Sequence, residues 1–187
     1  MLAGPWGPWL PGFVREALTS DGERHDAGVH HTPPQIVDQV LDRALIHAEP
    51  LDEQTTVLDP AVGGGAFLLA MAERMPGTPF DIVARLHGVD PLAVATTRAA
   101  LSLWAGGDIA LGTVRVGDHL VDDPFATKRF DLIVGNPPFL SQLRGGTPRS
   151  QAQRAALAER WAGVSGYVDD AAAFLLAGVD ALADEGT

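Results

Sequence analysis

With 187 residues the chain has room for one domain with a buried core, and a hydrophobic fraction of 46% excludes an intrinsically disordered protein. The net charge of -11 argues against the isolated chain gripping nucleic acid, because lysine and arginine contacts to phosphate supply most non-specific affinity. The absence of cysteine excludes a disulfide framework and a thiolate metal site, and no apolar run is long enough to span a membrane.

The first ten residues carry no lysine or arginine, so they lack the charged start of a secretory signal, and a cytoplasmic protein is expected. Residues 1–31 read as an irregular segment rich in glycine, proline and tryptophan, with a turn or two of helix over 13–18. His30 and His31 have no carboxylate at ligand spacing, so no metal site is expected there. Thr32-Pro33-Pro34-Gln35 reads as a helix start, with Thr32 as N-cap and Gln35 completing a capping box. Ile36, Val37, Val40, Leu41, Ala44 and Leu45 then form an apolar stripe at helical spacing.

Thr55-Thr56-Val57-Leu58 reads as a short strand closed by Asp59-Pro60. Ala61-Val62-Gly63-Gly64-Gly65 leads into a nearly all-apolar helix over 66–75, the pattern of a helix buried against a sheet. Residues 82–89 read as the second strand, ending at Asp90. Residues 91–104 read as a helix with Leu92, Ala95, Ala99 and Leu103 on one side, stopped by Gly106-Gly107. A third strand over 113–116 precedes Gly117-Asp118, and 131–134 form a fourth. Gly135-Asn136-Pro137-Pro138-Phe139 cannot continue it, since each proline lacks an N–H and Pro137 biases Asn136 away from the α region. A polar, arginine-bearing stretch over 141–166 follows. The last helix, over 168–183, has Val168, Ala172, Leu175, Leu176, Val179 and Leu182 in register. Alternating strands and helices predict an α/β fold, a mostly parallel sheet with helices on both faces and no internal domain boundary.

Four groups at predicted strand ends carry chemistry. The glycine turn after Asp59 presents the free N–H groups of a helix start to a ligand, or is simply a flexible turn. Asp59 has no use facing a pyrophosphate, but suits a cofactor with an amino group or a positive charge. That disfavours NAD and favours S-adenosylmethionine. Asp90 reads either as an N-cap for the helix after Pro91 or as an acceptor for two ribose hydroxyls. Asp118, with Asp122 and Asp123 as neighbours, reads as a solvated loop carboxylate or as an acceptor for an adenine amine. In the last group, the Asn136 amide oxygen and a backbone carbonyl can both accept from one NH₂ group, with Phe139 stacking on a planar base. Lys128-Arg129, Arg144, Arg149 and Arg154 near this loop read as solvated surface or as a local basic patch.

Together these motifs resemble the amino-terminal part of adenine-N6-specific DNA methyltransferases of the restriction-modification or phage-defence type. Gly28-Val29-His30-His31-Thr32-Pro33-Pro34-Gln35-Ile36-Val37 resembles the family's opening motif, and Val57 through Phe67 its glycine motif. Gly88-Val89-Asp90-Pro91 resembles its ribose motif, Val116-Gly117-Asp118 its adenine motif, and Asn136-Pro137-Pro138-Phe139 its catalytic loop. The resemblance implies a Rossmann-like S-adenosylmethionine-dependent methyltransferase fold over 32–187. It implies cofactor contacts from Thr32 (amino-acid end), Asp59, Ala61, Gly63, Gly65, Phe67, Asp90 and Pro91 (ribose side) and Asp118 (adenine). It further implies that Asn136 and the Pro137 carbonyl hold the adenine N6, with Pro138 and Phe139 completing the catalytic loop, for direct attack of N6 on the sulfonium methyl group.

Family members continue past this last helix into further strands and a target-recognition domain. The resemblance therefore implies a fold truncated after about four strands, ordered 3-2-1-4, with a bare fourth edge. It implies a fragment or half of a split enzyme, reaching DNA through a missing recognition part or a complementing subunit. Two alternatives stand beside it. One is a methyltransferase acting on RNA guanine or protein glutamine, which uses a similar loop. The other is an inactive cofactor-binding remnant or interaction module.

Overall fold

The computed structural model of the chain describes residues 7–19, 32–108, 112–138, 151–161 and 170–187. Four parallel strands form one sheet: β1 (Val57–Asp59), β2 (Leu86–Asp90), β3 (Val114–Val116) and β4 (Leu132–Ile133). Their spatial order is β3-β2-β1-β4, as the resemblance implied. Register places Val57 opposite both Leu86 and Leu132, and Gly88 opposite Val114. Alternation then sends successive side chains to opposite faces.

One face carries Val57, Leu86, Val114 and Leu132. Against it lie α3 (Ala66–Ala72), α4 (Pro79–Arg85) and α5 (Val94–Ala105), with α1 (Leu10–Leu18) packed on α5 and α2 (Pro34–Ala44) on α3. Helix α3 is buried along all seven residues, as its unbroken apolar run predicts. Removing a side chain there, such as Leu68 or Leu69, costs about 2–5 kcal/mol. The other face buries Leu58 and Val89 with Phe125, Phe130 and Ala181. Beside them Leu120 packs against Leu157 of α6 (Gln151–Arg160) and against Ala173, Phe174 and Ala177 of α7 (Asp170–Ala181). Helices thus lie on both faces. Among the described residues no helix is long and apolar enough to cross a membrane, and no cluster of three or more His, Asp or Glu could hold a metal ion.

The structure differs from the sequence expectations in several places. The stretch 1–31 is not irregular throughout: a 3-10 turn over Gly7–Trp9 leads into α1, and Trp9 sits in the core. Residues 82–85 are helical, not strand. Thr78 caps α4 by accepting from the Asp81 N–H, and Pro79 occupies its first turn. In α5 the buried residues are Val94, Thr97, Ala100 and Leu101, while Leu92 is 71% exposed. In α7, Ala173, Phe174 and Ala177 are buried, while Leu175 is 70% and Val179 61% exposed. Both helical faces were misread because these segments are apolar nearly all round, which leaves their periodicity without contrast. Helix α6 lies inside the stretch expected to be merely polar. The outer edge of β4 is also not bare. The Thr187 N–H donates to the Asp131 carbonyl (2.9 Å), and the Thr187 carbonyl accepts from the Ile133 N–H (2.9 Å).

Candidate active site

Asp59, Asp90, Gly117-Asp118 and Asn136 all lie at or just beyond the carboxyl ends of the four strands, the side on which open α/β sheets bind ligands. The turn after β1 is held from several directions. The Val62 N–H donates to the Val89 carbonyl (3.0 Å), and the Gly63 N–H to Asp90 Oδ2 (3.1 Å). The Thr97 hydroxyl, wholly buried on α5, donates to the Gly63 carbonyl (2.8 Å). Gly63 and Gly65 adopt positive φ (51° and 87°), and a Cβ on Gly65 would lie 3.1 Å from Thr97 Cγ2. Glycine at 65 therefore answers both a left-handed backbone and a close neighbour.

Asp59 is 1% exposed, and its Oδ1 accepts from the Ala61 N–H (3.0 Å). Burial pushes its carboxyl up to about 7, opposed by that hydrogen bond and reinforced by the neighbouring Asp90 carboxylate. A cation at this point would favour the ionised form, which is the electrostatic demand expected of a site for an ammonium or sulfonium group. Asp90 is not the N-cap of α5, whose cap position is Ala93 with no side-chain cap bond. Asp90 Oδ1 accepts from the N–H groups of Leu92 (2.7 Å) and Ala93 (2.6 Å), while Oδ2 reaches across to the glycine turn. Pro91 is exposed, and α5 begins three residues later at Val94.

Asp118 is brought alongside by a bond from the Gly117 N–H to the Asp90 carbonyl (3.3 Å), and its Oδ1 accepts from the Leu120 N–H (3.0 Å). Ala61 is half-buried against Leu120 and its neighbours, and Phe67 is buried in the core beneath the turn. Pro137 and Pro138 are half-buried. Phe139 and residues 28–31 of the opening motif lie outside the described residues.

Thr32 does not cap α2. The cap position is Pro33, no side chain bonds to the helix start, and Gln35 is exposed. The Thr32 hydroxyl instead accepts from Asn136 Nδ2 (3.2 Å). The Asn136 loop also meets the glycine-turn side of the site. A Cβ on Gly135 would sit 2.6 Å from Asp59 Oδ1, so any larger residue here would require that buried carboxylate to shift. At the opposite end of β4, Asp131 Oδ2 accepts from both the N–H and the hydroxyl of Thr56 (2.7 Å each).

Sequence reasoning missed Thr97, Gly135 and Asp131 as parts of this arrangement. Thr97 carried a signal, being a hydroxyl on the helix face shared with Val94, Ala100 and Leu101. The other two depend on partners more than 70 residues away along the chain.

Residues 16–187 match the sequence profile of the family described as N-6 DNA Methylase. The chain belongs to the N-6 DNA methylase family. Family membership implies use of S-adenosylmethionine. Among relatives, this N-6 DNA methylase chain is 33% identical over 85 residues to the type I restriction enzyme MjaIX methylase subunit of Methanocaldococcus jannaschii, covering 45% of the chain and 15% of that protein. It is 36% identical over 107 residues to the tRNA1(Val) (adenine(37)-N6)-methyltransferase of Dickeya chrysanthemi, covering 57% of the chain and 39% of that protein. The chain thus spans well under half the length of either. In fold it is similar to the crystal structure of the type I restriction-modification methyltransferase subunit from Streptococcus thermophilus. That match has a TM-score of 0.64 at 19% identity over 100% of the chain and 39% of that structure. The Rossmann-like methyltransferase architecture is therefore present here.

Proposed function

We propose that this chain carries the cofactor and amine sites of an enzyme that methylates the N6 amine of adenine in DNA. The observation that carries the reading is the seating of Gly135 against Asp59 Oδ1, which joins the Asn136 loop to the turn where a cationic cofactor would bind. Asp59 would face the charged part of S-adenosylmethionine, Asp90 its ribose and Asp118 its adenine. Ala61, Gly63, Gly65 and Pro91 would shape the surrounding backbone, with Phe67 supporting it from the core. When bound, the cofactor supplies an electrophilic methyl group.

The chain's own part is to present the nucleophile. Asn136 Oδ1 and the Pro137 carbonyl would accept the two N6 hydrogens, drawing the nitrogen lone pair out of conjugation with the ring and fixing its direction. Pro138 stiffens the loop and Phe139 would stack on the extruded base. The amine loses its proton after attack, so no strong base is required. DNA would be engaged by the whole protein, through a recognition part or a complementing subunit, rather than by the acidic surface of this segment.

The test uses the whole protein with any complementing subunit, and combines calorimetry with S-adenosylmethionine and mass spectrometry of DNA digested after incubation. Heat of binding and N6-methyladenine are expected. Folded protein giving no heat would remove the cofactor assignment, and binding without methyladenine would remove the catalytic one. A second reading, an adenine in structured RNA, is favoured by one observation. The tRNA methyltransferase of Dickeya chrysanthemi is 36% identical over 57% of this chain, whereas type II DNA methyltransferases match 61% and 67% of it at 31% and 29% identity. Duplex DNA and transfer RNA offered side by side separate the two.

A further inference from the structure

We propose that Thr32 is a positioning residue that anchors the Asn136 amide in place. This inference rests on the reading of Asn136 as the group that accepts the target amine. The two residues are 104 positions apart, and the Asn136 Nδ2 donates to the Thr32 hydroxyl at 3.2 Å.

An asparagine amide is planar, with a donor on one branch and an acceptor on the other. Rotation by half a turn about its last torsion exchanges them. That exchange is harmless on a protein surface but decisive at an amine site. A donor facing an NH₂ group repels it, whereas an acceptor binds it. In the structure the Nδ2 branch is the one on the Thr32 hydroxyl, which leaves Oδ1 facing away from Thr32; since a hydroxyl can donate as well as accept, what Thr32 supplies is an anchor for the place of the amide. The partner oxygen is well fixed. Thr32 precedes Pro33 and Pro34, Pro33 has φ -57° and ψ 140°, and Pro34 is buried along with Val37 and Leu41 of the same helix. Asn136 is likewise followed by two prolines. The hydrogen bond thus joins two residues whose backbones are each restricted by the proline that follows. The restricted backbones lower the cost of placing the two side chains when substrate arrives. The local environment agrees. A threonine before a helix ordinarily caps it, yet no side chain caps α2, so this hydroxyl is committed to the loop instead.

The experiment uses the full-length protein with S-adenosylmethionine and DNA, comparing Thr32→Val, Thr32→Ser, Asn136→Ala and the Thr32→Val/Asn136→Ala double variant. Thr32→Val keeps the shape and removes the hydroxyl. It is expected to slow single-turnover methyl transfer at saturating cofactor about 10²-fold, with the melting temperature unchanged. Thr32→Ser should restore the rate, and Thr32→Val should cost nothing further when Asn136 is already alanine. The Asn136 side-chain amide resonances of ¹⁵N-labelled protein should move in Thr32→Val and stay in Thr32→Ser. A wild-type rate in Thr32→Val overturns the inference while leaving the functional reading intact. Weakened cofactor binding with an unchanged rate at saturation also overturns it, and returns Thr32 to the amino-acid end of the cofactor. Wild-type protein that binds cofactor and methylates no adenine overturns the functional reading, and this inference with it.

Discussion

The two loops that meet at the candidate site are built by different means. The turn after β1 is laced into the fold by main-chain and buried contacts: Val62 to Val89, Gly63 to Asp90, Thr97 to Gly63 and Ala61 to Asp59. The Asn136 loop is stiffened by its own prolines and placed by one exposed side-chain bond to Thr32 and one tight seat on Asp59. The first loop is made of backbone that many nearby elements share, so its shape is a property of the whole domain. The second presents a side chain whose chemistry is separable from the fold. Mutations should therefore divide along this line, with stability and cofactor affinity following the first loop and turnover following the second.

The sharpest way to break the comparison is Asn136→Ala. Single-turnover transfer should fall on the order of 10²–10³-fold with the melting temperature and cofactor affinity unchanged; calorimetry showing a large loss of affinity would merge the two loops into one. Next is Gly135→Val, at the seam between them. A β-carbon there collides with Asp59, and about 1–3 kcal/mol of stability should be lost. Denaturant unfolding measures this, and cofactor binding and turnover should decline together. Thr97→Val is milder. It leaves the Gly63 carbonyl without its donor, costing about 1 kcal/mol in unfolding free energy and weakening cofactor binding, with methyl transfer at saturating cofactor unchanged.

The smallest expected effect is in pH dependence, and it concerns two buried groups on different faces of the sheet. Asp59 has a raised pKa of about 7, so its contribution is full below 3.8 and is lost as pH rises through about 7. His87 is held down to about 4 by burial and by the nearby Lys128 ammonium, so its contribution is present above 6.5 and is lost as pH falls through about 4. Between about 4 and 6.5 the two oppose each other by about one proton each. Asp59→Asn should make stability rise more steeply with pH in this window than it does in the wild type, and equal slopes in the two would show that Asp59 stays ionised in the fold.

Much of this arrangement was legible in the sequence because each strand ends in a chemically distinctive residue. Asp59, Asp90, Asp118 and Asn136 could be placed at strand ends from local pattern alone, and the strand order followed from the resemblance. The errors fall where meaning depends on distant partners or on low contrast. Ile82 and Val83 look like strand until Thr78 is seen to cap them into a helix. The faces of α5 and α7 were misassigned because alanine and leucine surround both helices. Thr32 was given a local role that the structure spends on Asn136 instead. No spacing rule reports a bond between residues so far apart in the chain.

The bond from Asp131 to Thr56 has a further consequence. It pins one end of β4 to the start of β1, and the amide of Asn136 stands five residues further on. That interval works as a ruler with Thr56 at its zero mark. Adding or removing a single residue between 131 and 136 would shift the amide by roughly 3.3 Å, further than a hydrogen bond can stretch, and would turn the following side chain to the opposite face of the sheet. The spacing is thus a calibrated length, and between the Asp131 pin and Gly135 the strand should tolerate changes of residue type far better than any change of count.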